Sequence, residues 1–531
     1  MQRSTEALFE RYGESYRWLV MAMAMVSTIA AVLSVTIVNV AIPDIMGTFG
    51  LDQVGAQWLS TGYLAAMTST MLLLDFCIKA FGQRATMVVM LSAFLGGALL
   101  GGLASSAEMM TLARLIQGAA SGLIQPMGMI AVYQVFPPER RGTAMGIYGV
   151  GVVMAPAVGP LFGGLLVDAL GWRSVFFVGV PFATVAIVLT LLFMPARQGN
   201  NERPRFDWFG FVLVLGFLAC LLTAFADGPR DGWNDTVVIL RIAASVLLLV
   251  AFIWWEGRVA VPLMNLSLYT RPAFAGAALI SMVLGMGLFG STYLIPLFVQ
   301  TVQDLTPTLS GALLVPAGLS MVVLTPFTGR LADRIDPAWQ VGFGLTLFIV
   351  SFWLFSFADV RTPLLTLALW IMVSRIGMAF IFPALSAGSV RMLPRELLAQ
   401  GTSSMNFVRQ LGGAFGVNLL AVLLQQKTDS FAGPMVATQS PGNPSTAAYL
   451  DAAAELIVPL GLTDQEMQAL AMRHLGQALG GQASSLAFSV TFQVSAAAFA
   501  VSLVGAALML HGRSERREAM ARMRAARVST R

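Results

Sequence analysis

Four arginines, Arg114, Arg241, Arg375 and Arg409, lie inside long apolar runs, where a guanidinium is costly unless it finds acceptors or a wet cavity. The chemistry open to them is ion pairing, anion binding or a share in proton transfer. No carboxylate at mid-depth is expected to partner them. Of the 27 Asp and Glu residues none falls at mid-depth in an apolar run, and Asp75, Glu108, Asp168, Asp207, Glu256 and Asp304 all sit near run ends. Asp75 has Lys79 one turn later, a spacing that suits an interfacial ion pair or, alternatively, a proton relay. Hydrolytic or transfer chemistry lacks its parts. The two histidines, His474 and His511, have no carboxylate or cysteine at triad or ligand spacing, so neither a metal site nor an enzyme is expected. Cys77 and Cys220 lie in or beside apolar runs, a poor fit to a secreted disulfide framework.

The elements that carry these residues must be membrane helices. The chain is 57% hydrophobic and 11% charged, against roughly 25% charged in soluble domains, and its mean hydropathy is +0.76. The apolar runs are about 20 residues or longer, enough to cross ~30 Å of hydrocarbon, and lack the alternation of outer-membrane strands. They lie at about 17–40, 54–75, 85–105, 108–136, 139–167, 172–195, 206–227, 236–256, 272–301, 306–331, 337–358, 362–391, 396–426 and 484–511, fourteen spans in all. Lysine and arginine concentrate in alternate connections and in both termini, whereas the opposite connections hold only Arg173, Arg230, Arg361, Lys427 and Arg473. The positive-inside rule therefore places both termini in the cytoplasm. The net charge of +5 is spent on topology, and no nucleic-acid partner is expected.

An internal repeat divides the chain. Asp75-Phe-Cys-Ile-Lys79-Ala-Phe-Gly82 follows the second span as Gly329-Arg-Leu-Ala-Asp333-Arg-Ile-Asp336 follows the tenth. Pro138-Glu-Arg-Arg-Gly-Thr143 likewise precedes the fifth span as Pro394-Arg-Glu precedes the thirteenth, where Gly401-Thr402 recurs. The near-constant displacement implies an all-α fold of two six-helix bundles, 1–195 and 257–511, with two helices, within 196–256, inserted between them; 512–531 is a basic cytoplasmic tail. Parallel halves of this kind enclose a midplane cavity and rock around it. Ser34, Asn39, Gln57, Trp58, Tyr63, Gln117, Gln125, Phe289, Tyr293, Asn406, Arg409 and Gln410 are the candidates to line that cavity, the polar ones because lipid exposure would penalise them. For Arg375 and Arg409 a cytoplasmic, snorkelling position is the favoured expectation. The extracytoplasmic segment 427–483 opens loop-like, and Thr463-Asp-Gln-Glu466 fits a capping box; the segment reads as a lid over the outer mouth or as a docking surface. The tail from Arg513 to Arg531 reads as a lipid-facing anchor.

The most specific signal is on the fifth span, Gly149-Val-Gly151-Val-Val-Met-Ala-Pro156-Ala-Val-Gly159-Pro160-Leu-Phe-Gly163-Gly164. Glycines at these intervals admit a neighbouring helix, and prolines delete donors and bend the axis. Here the chain resembles the major facilitator superfamily, specifically its fourteen-helix drug:proton antiporter branch (the EmrB/QacA type). Arg114-Leu-Ile-Gln117-Gly118 resembles the fourth-helix motif and Val35-Thr-Ile-Val-Asn39-Val-Ala-Ile-Pro43 the first-helix motif. Gly171-Trp172-Arg173-Ser-Val-Phe176 is similar to the segment entering helix six, Gly329-Arg330-Leu-Ala-Asp333-Arg334 to the cytoplasmic gating loop and Arg409-Gln-Leu-Gly412-Gly413 to the helix-thirteen motif.

The resemblance implies export of small amphipathic molecules by alternating access from a bacterial cytoplasmic (inner) membrane, driven by a proton gradient and without a bound cofactor. A dedicated exporter of one metabolite is the alternative; a polytopic membrane enzyme is a distant one. The resemblance also implies proton coupling at Arg114, which a purely structural pin to neighbouring carbonyls would replace. It permits a periplasmic membrane-fusion adaptor and an outer-membrane channel as partners. Two departures matter. Ser34 occupies the first helix's acidic position, and the first-half gating loop carries Asp75 and Lys79 in place of its glycine and aspartate. Asp333, with Arg330 and Arg334, is expected to latch cytoplasmic helix ends by pairing with arginine or facing a helix N-terminus; solvated loop charge is the plainer reading. Without an acid at depth, the cavity should favour neutral or weakly acidic hydrophobic substrates over cations.

Overall fold

The computed structural model describes residues 2–51, 53–196, 205–305, 307–391, 393, 397–439, 443–457 and 464–529, and among these it is helical with no strand. The main helices are α1 (Ser15–Phe49), α2 (Gln53–Met71), α3 (Leu74–Phe81), α4 (Gln83–Gly102), α5 (Ala107–Val135), α6 (Arg141–Leu170), α7 (Gly179–Phe193), α8 (Trp208–Asp231), α9 (Thr236–Glu256), α10 (Pro272–Thr301), α11 (Leu314–Arg334), α12 (Pro337–Phe355), α13 (Leu364–Arg391), α14 (Leu398–Ala437), α15 (Pro444–Ile457) and α16 (Asp464–Ser529).

Polar residues at the ends start and stop these helices. Ser106 opens α5 by accepting from the Met109 N–H at 3.2 Å. Asp235 opens α9 on the N–H groups of Val237 and Val238 at 2.8 and 3.3 Å, and Asp336 opens α12, with Pro337 at its first position. Each supplies an acceptor to a donor that the helix leaves unpaired. Gly50, at φ 62°, closes α1 in a left-handed conformation that a side chain would resist. Between the ends the surface is apolar: Leu247 on α9 is 70% exposed, as befits a side chain facing lipid.

The helices pack as two bundles. In the first, α1 lies against α5, α6 and α7, while α5 also takes α2 and α4. In the second, α10 packs on α14 and α16, and α13 on α11 and α12. Where helices cross, glycine sets the distance. A Cβ on Gly118 would overlap the Tyr63 carbonyl, and one on Gly412 the Met282 carbonyl. The inserted pair α8–α9 sits at one seam of the bundles, α8 touching α2 and α14. Phe217, Leu72 and Phe407 share an apolar cluster there.

The count of fourteen spans stays an expectation, while two local readings need correction. Among the described residues twelve helices are long and apolar enough to cross a membrane, thirteen counting the pair Trp58–Met71 and Leu74–Phe81 as one span bent by 58°. The expected fourteen also include α6, a helix of 30 residues. The second span does not pass into a loop at Asp75: the chain bends and resumes as α3, because Leu74 is buried and Lys79 pairs with Asp75 inside one turn. The segment from Lys427 onward is not loop-like at its start, since α14 continues through Ala437. Thr463 of the capping box lies outside the described residues, as do the side chains of the basic tail, whose backbone continues α16 to Ser529. The two prolines of the fifth span do not interrupt α6, which is continuous from Arg141 to Leu170.

Gly118→Val should strain the α2–α5 crossing by about 1–3 kcal/mol, read as a lowered unfolding temperature in detergent. Gly96→Ala, whose new Cβ meets nothing within 4 Å, should leave that temperature unchanged or raised; equal effects from both would refute the packing argument.

Candidate functional site

Between the bundles lies a cavity of about 40 Å³, lined by Val32, Val35, Thr36, Met67, Gln125, Val152, Leu288, Phe289, Met378, Phe382, Arg409 and Gln410. It draws on α1, α2, α5 and α6 of one half and α10, α13 and α14 of the other. That volume holds a few waters and is far below that of a drug-sized ligand. The wall is apolar and aromatic, relieved by two amides, one hydroxyl and one guanidinium. Gln410 reaches across the seam, its Nε2 donating to Met67 Sδ at 3.4 Å.

Arg409 is the cavity's charge. Gly285 and Gly412 bring α10 against α14 so closely that a Cβ on Gly285 would overlap the Arg409 carbonyl. Its Nη2 donates to Asn406 Oδ1 at 2.6 Å, and Asn406 Nδ2 donates in turn to the Thr402 carbonyl at 2.9 Å. The Phe382 ring lies 5.6 Å from the guanidinium. Arg409 is therefore turned into the seam, not snorkelling towards the cytoplasm, because asparagine and cavity hold it at depth. Arg375 also departs from that expectation: it is buried on α13, and its Nη1 meets no acceptor.

Arg114 is elsewhere. It is fully buried inside the first bundle, its Nε donating to the Leu59 carbonyl at 3.1 Å and its Nη1 to the Ser34 carbonyl, Ser34 Oγ and Gln117 Oε1 at 3.1–3.2 Å. Tyr63 lies beneath it at 4.2 Å and donates to the Ala31 carbonyl and Ser121 Oγ. Neutral oxygens thus replace a counter-ion, and Ser34 contributes two of them. Ser34, Tyr63 and Gln117 belong to this network and not to the cavity wall; Gly118 belongs with them, since it lets Tyr63 approach.

One carboxylate ties the two bundles together at the end of α11. Asp333, near the end of α11, accepts from the N–H groups of Gly142 and Thr143 at 2.6 and 2.9 Å and from Thr143 Oγ1 at 2.6 Å. These are the unpaired donors at the start of α6, so the interaction combines charge-assisted hydrogen bonds with the helix dipole. Glycine again admits it. A Cβ on Gly329 would stand 2.7 Å from the Gly142 carbonyl oxygen, and one on Gly146 would stand 2.6 Å from that of Thr325. Among the described contacts Asp333 makes no ion pair with Arg330 or Arg334, both exposed. Of the two expected forms of the latch, the helix N-terminus is the one present.

The remaining candidates divide. Gln125, Phe289, Arg409 and Gln410 line the cavity, and Asn406 positions Arg409. Trp58 and Tyr293, each 36% exposed, are not among the residues that line it. Gly151 and Gly159 pack on Met25 and Thr36 of α1, within the same bundle, and Gly163 is buried while Gly164 is half-buried. The side chains of Asn39, Gln57, Pro156 and Pro160 lie outside the described residues. Asp75 pairs with Lys79 at 2.7 Å, its carboxylate largely buried and the ammonium half exposed. Phe382, Met378 and Met67 escaped the sequence reading, which had only the abundance of methionine and phenylalanine to go on. Gly142 and Thr143 were visible as a repeated motif but not as the partner of Asp333.

A model of the Major Facilitator Superfamily matches residues 24–417. The tetracenomycin C resistance and export protein of Streptomyces glaucescens is 28% identical over 92% of this chain and 91% of that protein. A multidrug resistance protein B homolog of Mycobacterium tuberculosis is 30% identical over 76% of this chain and 75% of its own length. In fold, the chain is similar to the human organic anion transporter MFSD10 (TETRAN), with a TM-score of 0.58, 14% identity, and coverage of 91% of this chain and 99% of the other.

Asp333→Ala removes three hydrogen bonds, each costing about 1.5–3 kcal/mol when a charged partner is lost. Spin labels at the exposed positions 140 and 334 should then show a second, longer distance as the major population. A distance distribution unchanged from that of the parent would disprove the latch.

Proposed function

The chain belongs to the Major Facilitator Superfamily, and from that premise we propose that it exports small amphipathic molecules from the bacterial cytoplasm by proton antiport through alternating access. It is a multi-pass transporter and not an enzyme. The observation that carries the proposal is the pairing of a seam cavity with a cytoplasmic closure made by a single carboxylate on a helix N-terminus. Such a contact is strong when closed and, being built of a few hydrogen bonds, can be exchanged for water. Names of relatives support resistance and export.

In this reading the chain crosses the inner membrane fourteen times, and its preferred substrates are neutral or weakly acidic and hydrophobic. The proposed coupling group is Arg114, whose network of neutral acceptors would respond to a proton arriving nearby; Asp75 is the proposed relay at the cytoplasmic mouth. A periplasmic adaptor and an outer-membrane channel belong to the proposal as partners for the helical projection formed by the end of α14, α15 and the start of α16. Within that projection Tyr449 bonds His474 at 2.8 Å. A dedicated exporter of one compound is the second reading, favoured by the single antibiotic in the name of the Streptomyces relative.

The test is transport into proteoliposomes under an imposed acid-inside gradient, with protein-free vesicles subtracted. Hydrophobic weak acids and neutral amphiphiles should accumulate and be released by a protonophore, while cationic dyes should not compete; preferential accumulation of the dyes would overturn the substrate assignment. Arg114→Lys should lower gradient-driven uptake at least tenfold while retaining substrate exchange at zero gradient. Asp75→Asn should lower gradient-driven uptake alone, and unchanged uptake would remove Asp75 from the proton path.

A further inference from the structure

Arg409 is a cation facing an otherwise uncharged cavity. One of its nitrogens is taken by Asn406, and among the described residues it forms no ion pair. A charge removed from water without a counter-charge is held at high cost. The lining offers no relief, since Gln125 and Gln410 are neutral and Phe289, Phe382 and Met378 are apolar. Arg375 repeats the situation one step away. It precedes Met378 by three residues and Phe382 by seven, so all three share a face of α13. It is 6% exposed and its Nη1 has no partner. In the topology set by the basic connections, α13 enters from the outside, so Arg375 stands on the outward side of the cavity.

A guanidinium presents a planar fork that matches a carboxylate in a bidentate pair. A neutral amphiphile would leave Arg409 unpaired, and a cationic one would add repulsion. We propose that Arg409 anchors the oxyanion head group of a singly charged amphiphile, a carboxylate in the simplest case, while the aromatic and methionine wall takes its apolar body, and that Arg375 receives the same head group on the way out. The assignment rests on the export reading and sharpens its substrate class from weak acids in general to molecules carried in their anionic form.

The experiment uses the full chain in lipid nanodiscs with three ten-carbon probes: decanoate, decanamide and decyltrimethylammonium. The parent protein should bind decanoate at least tenfold more tightly than either of the others. Arg409→Gln should lose at least tenfold in affinity for decanoate with decanamide affinity unchanged, which also shows an intact site, and Arg409→Lys should recover part of the loss. Arg375→Gln should leave decanoate affinity within twofold yet slow decanoate exchange in vesicles about tenfold. A parent protein that prefers the amide or the cation overturns the anchor even if no variant folds, as does an Arg409→Gln protein that binds decanoate normally. A protein driven by a pH gradient to export decanamide while ignoring decanoate would sink the anchor and leave export standing. Decanoate binding through Arg409 without gradient-driven movement of any probe would support the anchor and defeat the export reading.

Discussion

A carboxylate at the edge of a low-dielectric slab binds the strongest donors within reach, and for Asp333 those are the free N–H groups of a helix in the opposite bundle. Much of the architecture serves that contact. The glycines at 142, 146 and 329 strip the crossing of α6 and α11 to backbone thickness, which alone allows an aspartate side chain to span the gap. With the contact made, α6 and α11 are joined across the seam, and a cavity of about 40 Å³ lies between the bundles. The arginines beside Asp333 are left on the exposed side, available to lipid head groups and topology.

The buried arginines show how differently one side chain can be accommodated. Arg114 is held through Nε and Nη1 by carbonyls, a hydroxyl and an amide, and by an aromatic face, all from its own bundle, while its Nη2 has no partner. Substituting serine for an acid at position 34 suits that arrangement, because Ser34 supplies two acceptors without a charge. Arg409 has a single asparagine and a distant ring, and so keeps donors to spare inside the cavity. Arg241 finds an aspartate, Asp227, on the neighbouring inserted helix, which holds the α8–α9 pair together. The three environments separate a network residue, a cavity residue and a stapling residue, although the sequence presents them as equivalent.

Much of the fold was legible without coordinates. Apolar runs long enough for hydrocarbon mark the long helices, and an all-α membrane fold follows from them. The bend after Met71 was not legible, since no proline or glycine marks it; it arises where Leu74 and Asp75 are pulled under cover. The helical continuation beyond Lys427 was hidden for the opposite reason, because Gly433 and Pro434 suggest a turn that the helix overrides. Of the cavity, Gln125, Phe289, Arg409 and Gln410 were readable as polar or aromatic residues in apolar context. Met67, Met378 and Phe382 were not, because a large apolar side chain looks the same whether it faces lipid, a neighbour or a substrate.

The sequence by itself determined the solvent and the family, because hydropathy and glycine spacing are local properties that survive without knowledge of neighbours. Only the tertiary structure decided which donor Asp333 caps, which arginine enters the cavity and which glycines meet the opposite half. Those are questions of distance between residues as far as 343 positions apart in the chain, and a one-dimensional pattern of residue types holds no distance between segments until helices of known face are packed against one another.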